Sequence, residues 1–150
     1  MENTNFKVTK LGDDRISSLL MNCERKLTSI WSMDIAYHVL DALESYLNGD
    51  LRPRKALEAL DQWIHGNSSM MEARKHAFAS HHAAKEALNP IATAVARCCG
   101  HACATAHVKT HANKASLYGI LATMYANGGD KDIETKWQYD HLKEIMNPNS

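Results

Sequence analysis

Apolar residues recur three and four positions apart along most of this chain, the spacing that turns one face of a helix toward a core. Nowhere do they alternate in twos for long enough to propose a strand. Ile16, Leu19, Leu20, Cys23, Leu27, Ile30 and Trp31 keep this pattern and predict a first helix over about Asp13 to Trp31. A second, about Met33 to Leu47, carries Ala36, Val39, Leu40, Leu43 and Leu47 inward and stops at Asn48-Gly49, residues that tolerate positive φ. A third opens at Pro53, whose fixed φ and missing N–H suit a first helical position, and turns Ala56, Leu57, Leu60, Trp63 and Ile64 inward before Gly66-Asn67. Ser69 with Glu72 three residues on has the spacing of a capping box and starts a fourth, which runs through alanine-rich sequence to Leu88. Asn89-Pro90 caps and starts a fifth, predicted to about Lys109, with a break near His111 to Asn113 before a sixth from Lys114 to Ala126. After Gly128-Gly129-Asp130 a last helix, about Lys131 to Met146, points Ile133, Trp137, Leu142 and Ile145 to the core.

The fifth segment sets the architecture. From Asn89 to Ala112 only Arg97 and Lys109 carry a formal charge, so a helix there has almost no solvated face and belongs in the interior. Its small residues, among them Ala96, Cys99, Gly100, Cys103 and Ala104, let neighbouring helices approach at the short end of the usual range. Short connectors make consecutive helices antiparallel neighbours. The expectation is an all-α fold: one domain over residues 1–150, a compact array of six to seven mostly antiparallel helices around a buried central one. Residues 1–12 and 147–150 are expected to be frayed tails.

Composition narrows the function. The chain has 150 residues, enough to bury a core without crosslinks, and its 17 basic and 17 acidic side chains balance. Zero net charge removes the broad basic field that nucleic acid or an anionic membrane surface calls for, so neither is expected as a partner. The start of the chain lacks the basic end and apolar core of a signal peptide, and no stretch is long and apolar enough to span a membrane, which makes the cytoplasm the expected compartment. Cys23, Cys98, Cys99 and Cys103 include an adjacent pair and an i, i+4 pair on one helix, unlike a spaced disulfide framework, and are read as reduced, buried thiols.

The histidines are the conspicuous chemistry. On a continuous helix His107 and His111 share a face within reach of one metal ion, while His101, six residues before His107, points about 120° away. His76, His81 or His82 on the fourth helix could complete a ligand set. The HxxxH spacing lacks the intervening glutamate of the zinc-protease helix, so a hydrolytic reading has no support. The competing reading makes these imidazoles core residues bonded to buried neighbours, with His107 expected to be one whose loss breaks such a bond. Cysteines in mid-helix, away from an electropositive surface, are poor nucleophiles. Asp34, Tyr37, Asp41 and Glu44 line one outer side of the second helix and form the first candidate for a partner-binding patch. No catalytic residue and no cofactor is expected.

The stretch GHACATAHVKTHANKASLYGILA, residues 100 to 122, resembles the hallmark of the Imm-5-like immunity proteins, a pattern close to GHAxATAHVxxHAxxAAxYAxKA. Gly100, His101, Ala102, Ala104, Thr105, Ala106, His107, Val108, His111, Ala112 and Tyr118 carry the match. LRPRKALEALDQWIHG from Leu51, EARKHAFASHHAAKEA from Glu72 and ETKWQYDHL from Glu134 add to it in order. The resemblance implies an all-helical bacterial protein that protects against a cognate toxin by binding it, with the motif as scaffold and without catalysis. The alternatives from the residues are a metal-binding bundle or enzyme using His107 and His111, and a homo-oligomeric structural module.

Overall fold

The computed structural model describes residues 7–148, and every regular element among them is helical. A short 3-10 turn over Val8–Leu11 leads to α1 (Asp14–Met21), α2 (Arg25–Leu43), a second 3-10 turn (Glu44–Leu47), α3 (Arg52–Ile64), α4 (Met70–Glu86), α5 (Pro90–Ala104), α6 (His111–Asn127) and α7 (Asp132–Met146).

Local chemistry fixes several of these boundaries. The Asp13 carboxylate accepts from the Arg15 and Ile16 amides at 2.9 and 3.2 Å, the Ser69 hydroxyl from Glu72 at 3.0 Å and the Asn89 side chain from Ala92 at 2.8 Å, each satisfying an orphan donor of a first turn. Asn48 stops the second 3-10 turn in the left-handed region at φ 52°.

Two boundaries differ from the sequence expectation. The first break lies at Asn22–Glu24 rather than near Ser32: Glu24 caps α2 by accepting from the Leu27 amide at 3.2 Å. Ser32 stays inside the helix because its hydroxyl donates to the Ser29 carbonyl at 3.0 Å, so a polar residue sits in the core without breaking the ladder. The second difference matters more for function. α5 ends at Ala104, where Thr105 Oγ1 donates to the Ala102 carbonyl at 2.7 Å, and the chain turns through Thr105–Thr110 before α6 opens at His111. His107 therefore lies in a turn, and His111 is the first residue of a new helix.

α5 is the central helix, packed against α2, α3, α4 and α6. Val95, Cys98, Cys99, Ala102 and Cys103 are fully enclosed, surrounded by Trp31, Ile35 and Leu40 of α2, Leu57 and Leu60 of α3, and Ile120 of α6. A β-carbon on Gly119 would stand 3.1 Å from Ile35 Cγ2 and 3.2 Å from Gln138 Nε2, so the bare backbone at that point lets α2 and α7 close on α6.

α7 docks through polar atoms more than the apolar pattern suggests. Ile133, expected inside, is 72% exposed, while Glu134 beside it is 3% exposed. The Gln138 amide donates to the Glu134 carboxylate at 3.1 Å and to the Ser116 carbonyl at 3.2 Å, its side-chain oxygen accepts from the Ser116 hydroxyl, and its own carbonyl accepts from Trp31 Nε1 at 2.9 Å. Every hydrogen-bonding atom of that buried amide has a partner, which is what makes such a residue tolerable in a core. Of the three tryptophans expected in the core, Trp31 is fully buried; Trp63 and Trp137 are half-buried at its rim.

Candidate functional site

Three helices and one turn bring the motif histidines to a single face. His81 comes from α4, Arg97 and His101 from α5, His107 from the turn, and His111 and Tyr118 from α6. Gly100 makes the arrangement possible: a β-carbon there would lie 2.8 Å from both Cε1 and Nε2 of His81, so the imidazole rests on bare helix backbone. Arg97 Nη1 stands 3.0 Å from His81 Nδ1. A guanidinium can only donate, so His81 Nδ1 is the acceptor and its proton is on Nε2. His101 Nδ1 and His111 Nδ1 are 3.0 Å apart, one donating to the other. The His101 ring is stacked on Tyr118 at 5.4 Å between centroids and on His111 at 5.2 Å, with His81 edge-on at 4.5 Å.

The electrostatics are one-sided. Burial, reinforced by Arg97, His111, Lys85 and Lys114, pulls His81 down to about 4; burial, with His81, His111, Lys114 and Arg97, pulls His101 down to about 3. His111 is lowered by burial, His107 and Lys114, and His107 by burial, Arg74 and Arg25. These imidazoles are neutral at pH 7. The charges acting on them are cationic throughout, in keeping with a chain that has no Asp or Glu between Glu86 and Asp130.

For metal binding, the structure brings His81, His101, His107 and His111 to one face and leaves His82 out of it. His82 is exposed and turned to Glu86 at 3.6 Å, and His76 faces Glu72 at 3.3 Å. The His107 and His111 rings are 5.8 Å apart, and no group of three or more His, Cys, Asp or Glu among the described residues is placed to hold a metal ion. The converging nitrogens of His101 and His111 are already bonded to one another, in a field of arginine and lysine that disfavours a dication. His107 also differs from the sequence expectation: its Nδ1 is enclosed without a hydrogen-bond partner, so it holds no buried neighbour through that atom.

The thiols are equally unsuited to attack. Cys98 Sγ donates to the Ala115 carbonyl at 3.3 Å and Cys103 Sγ to the Ala73 carbonyl at 3.0 Å. Burial pushes Cys98 and Cys99 far up and Cys103 up to about 12, so all three remain protonated.

A second polar cluster joins α2 to α7, and sequence reasoning missed most of it. His38 Nδ1 meets Glu134 Oε1 at 3.1 Å; the His38 ring stacks on Trp137 at 3.8 Å, and Trp137 on His141 at 4.8 Å. His141 Nε2 donates to Asp34 Oδ2 at 2.8 Å. Burial pushes Glu134 up to about 7 against the pull of the Gln138 amide, while burial and His141 lower His38. The available signal was Glu134 four residues before Gln138, on the same side of α7 as Leu142. The residues expected to form a partner patch have partners inside the fold. Asp34 holds His141, Asp41 and Glu44 both pair with Arg54, and half-buried Tyr37 has the Arg54 guanidinium 5.9 Å from its ring centroid.

No helix among the described residues is long and apolar enough to cross a membrane. No curated protein and no solved structure matches the chain. Gly100, His101, Thr105, His107, His111 and Tyr118, which meet around the end of α5, lie within residues 18–145, the stretch that matches the family model described as Imm-5 like putative immunity protein, and the chain belongs to that family.

Proposed function

We propose that this chain is an immunity protein that neutralises a cognate bacterial toxin by direct binding in the cytoplasm, without chemistry of its own and without a nucleic-acid or membrane partner. Membership of the immunity family over residues 18–145 carries this reading. The site chemistry supports binding over catalysis: the thiols are enclosed and protonated, and His81, His101 and His111 are bonded to or stacked on one another with no carboxylate to raise their basicity. In this reading the histidine cluster fixes the ends of α5 and α6 against α4, and an outer face makes contact with the toxin.

The test is co-expression with the product of the adjacent reading frame. The expected result is rescue of growth and a complex of the two chains that survives size-exclusion chromatography. Persistent toxicity with both proteins folded and eluting separately would sink the proposal.

A further inference from the structure

The chain is neutral overall, yet its charge is segregated. Arg74, Lys85, Arg97 and Lys114 surround the histidine cluster on the outer side of α4, α5 and α6, and no carboxylate is among the charges acting on it. The two acids of α4 are engaged elsewhere: Glu72 faces His76, and Glu86 pairs with Arg52 at 2.7 Å. Acids on other elements have basic partners of their own, Asp41 and Glu44 with Arg54 and Asp140 with Lys136.

The cationic face is also apolar at its margins. Phe78 on α4 is 58% exposed with the Arg74 guanidinium 5.0 Å from its ring centroid, and Leu88, just past the end of α4, is 91% exposed. Beside Leu88 runs a groove of about 320 Å³ lined by Lys85, Leu88, Pro90, Thr93 and Arg97, and the Arg97–His81 bond joins that groove to the histidine cluster. An exposed aromatic ring beside arginine is a pairing enriched at protein-binding surfaces.

We propose that the α4–α5–α6 face around His81, Arg97 and His101 is the docking surface for a carboxylate-rich protein surface. Lys85, Arg97 and Lys114 meet its acids, and Phe78 and Leu88 take its apolar side chains. A protein fits better than a nucleic acid, because a polyphosphate depends on a long-range positive field that a chain of zero net charge does not supply. Identifying the partner as the toxin rests on the function proposed above; the surface itself does not.

The test uses the whole purified chain and a fluorescent oligoglutamate peptide in anisotropy titrations at low salt, beside an oligothymidylate of equal net charge. Wild type is expected to bind the peptide more tightly than the oligonucleotide. Lys85→Glu with Lys114→Glu, a variant confined to exposed side chains, is expected to lose about tenfold in affinity with its helical circular dichroism intact. Failure of wild type to bind the peptide, an unchanged affinity in the variant, or tighter binding of the oligonucleotide each overturns the proposal. The complex with the adjacent gene product separates the two claims. If it forms with wild type, persists with the lysine variant and is lost with Asp41→Lys, the toxin reading stands and the surface assignment fails. If no complex forms with wild type, the toxin reading fails and the peptide titration alone decides the surface.

Discussion

The imidazole of His81 lies against the Cα of Gly100, 2.8 Å from where a β-carbon would be, so one glycine on the central helix fixes the position of a side chain on its neighbour. Glycine inside a helix ordinarily costs about 1 kcal/mol relative to alanine. At this position that cost is offset by the His81 contact and by the Arg97 bond that depends on it. Gly100→Ala is therefore expected to destabilise by about 1–2 kcal/mol in urea unfolding at pH 7, despite its better helix propensity. In a His81→Ala background the sign should reverse, the alanine now stabilising by about 0.5–1 kcal/mol. A stabilising Gly100→Ala in the wild-type background would show that the ring moves aside without cost.

Two half-buried histidines and one buried carboxyl push the pH dependence of stability in opposite directions. His81 and His101 have folded pKa values of about 4 and about 3, below their unfolded value near 6.5, so the unfolded chain binds protons first and stability is lost as pH falls from about 6.5. Both rings are partly open to solvent, and the loss between pH 7 and 4 is expected to be about 3 kcal/mol, well under the full value of the shifts. Glu134 has the opposite sign: its folded pKa of about 7 exceeds the unfolded carboxyl value near 4.5, so its contribution is complete in acid and is lost as pH rises toward 7. The wild-type profile between pH 4.5 and 6.5 should be flatter than either group alone would give.

Glu134→Gln separates the two. Glutamine keeps the side-chain oxygen that accepts from Gln138 and cannot ionise, so its stability relative to wild type should improve by about 2 kcal/mol between pH 5 and pH 7.5. Removing the opposing carboxyl also exposes the histidine-dependent rise with pH as a steeper slope. Parallel unfolding curves for variant and wild type across this range would show that Glu134 ionises as it does in water.

The helices were legible wherever a single physical signal dominated. The caps at Asp13, Ser69 and Asn89 act through side-chain oxygens that can be read directly from the residue types, and the scarcity of charge around α5 marks it as central. The break at Thr105 was not legible, because Thr105 and Ala106 are both buried and the small-residue pattern continues through the turn. That miss made His107 a helical residue; in the structure the two imidazoles reach the same face from a turn and from the start of a new helix, with their rings 5.8 Å apart. The α2–α7 cluster was hidden for another reason: hydrophobic periodicity assigns Ile133 to the core and Glu134 to solvent, whereas the amide of Gln138 and the imidazole of His38 make burial of the carboxyl the better arrangement.

The four cysteines are expected to be silent in the native state. All are free and buried, and the thiols of Cys98 and Cys103 donate to backbone carbonyls that would lose their partners on deprotonation. A disulfide-exchange reagent at pH 8 should react with none of them faster than the protein unfolds, and with all of them in denaturant. Rapid labelling of one thiol in native protein would place that cysteine in a locally open region.

Histidines that share a motif are expected to differ in energetic weight. His101 is bonded to His111, stacked on Tyr118 and met edge-on by His81, so His101→Ala removes one hydrogen bond and three ring contacts and leaves a half-buried nitrogen of His111 without that partner. That combination is expected to cost about 2–3 kcal/mol. His107 is half-buried, and its enclosed Nδ1 is without a partner, so alanine there removes an unsatisfied atom along with some ring packing, with an expected change of about 0.5 kcal/mol or less. Urea titrations of both variants at pH 7, where the rings are neutral, compare them without interference from protonation. A larger loss for His107→Ala than for His101→Ala would mean that the turn after α5, and not the stacked pair between α5 and α6, holds this end of the molecule together.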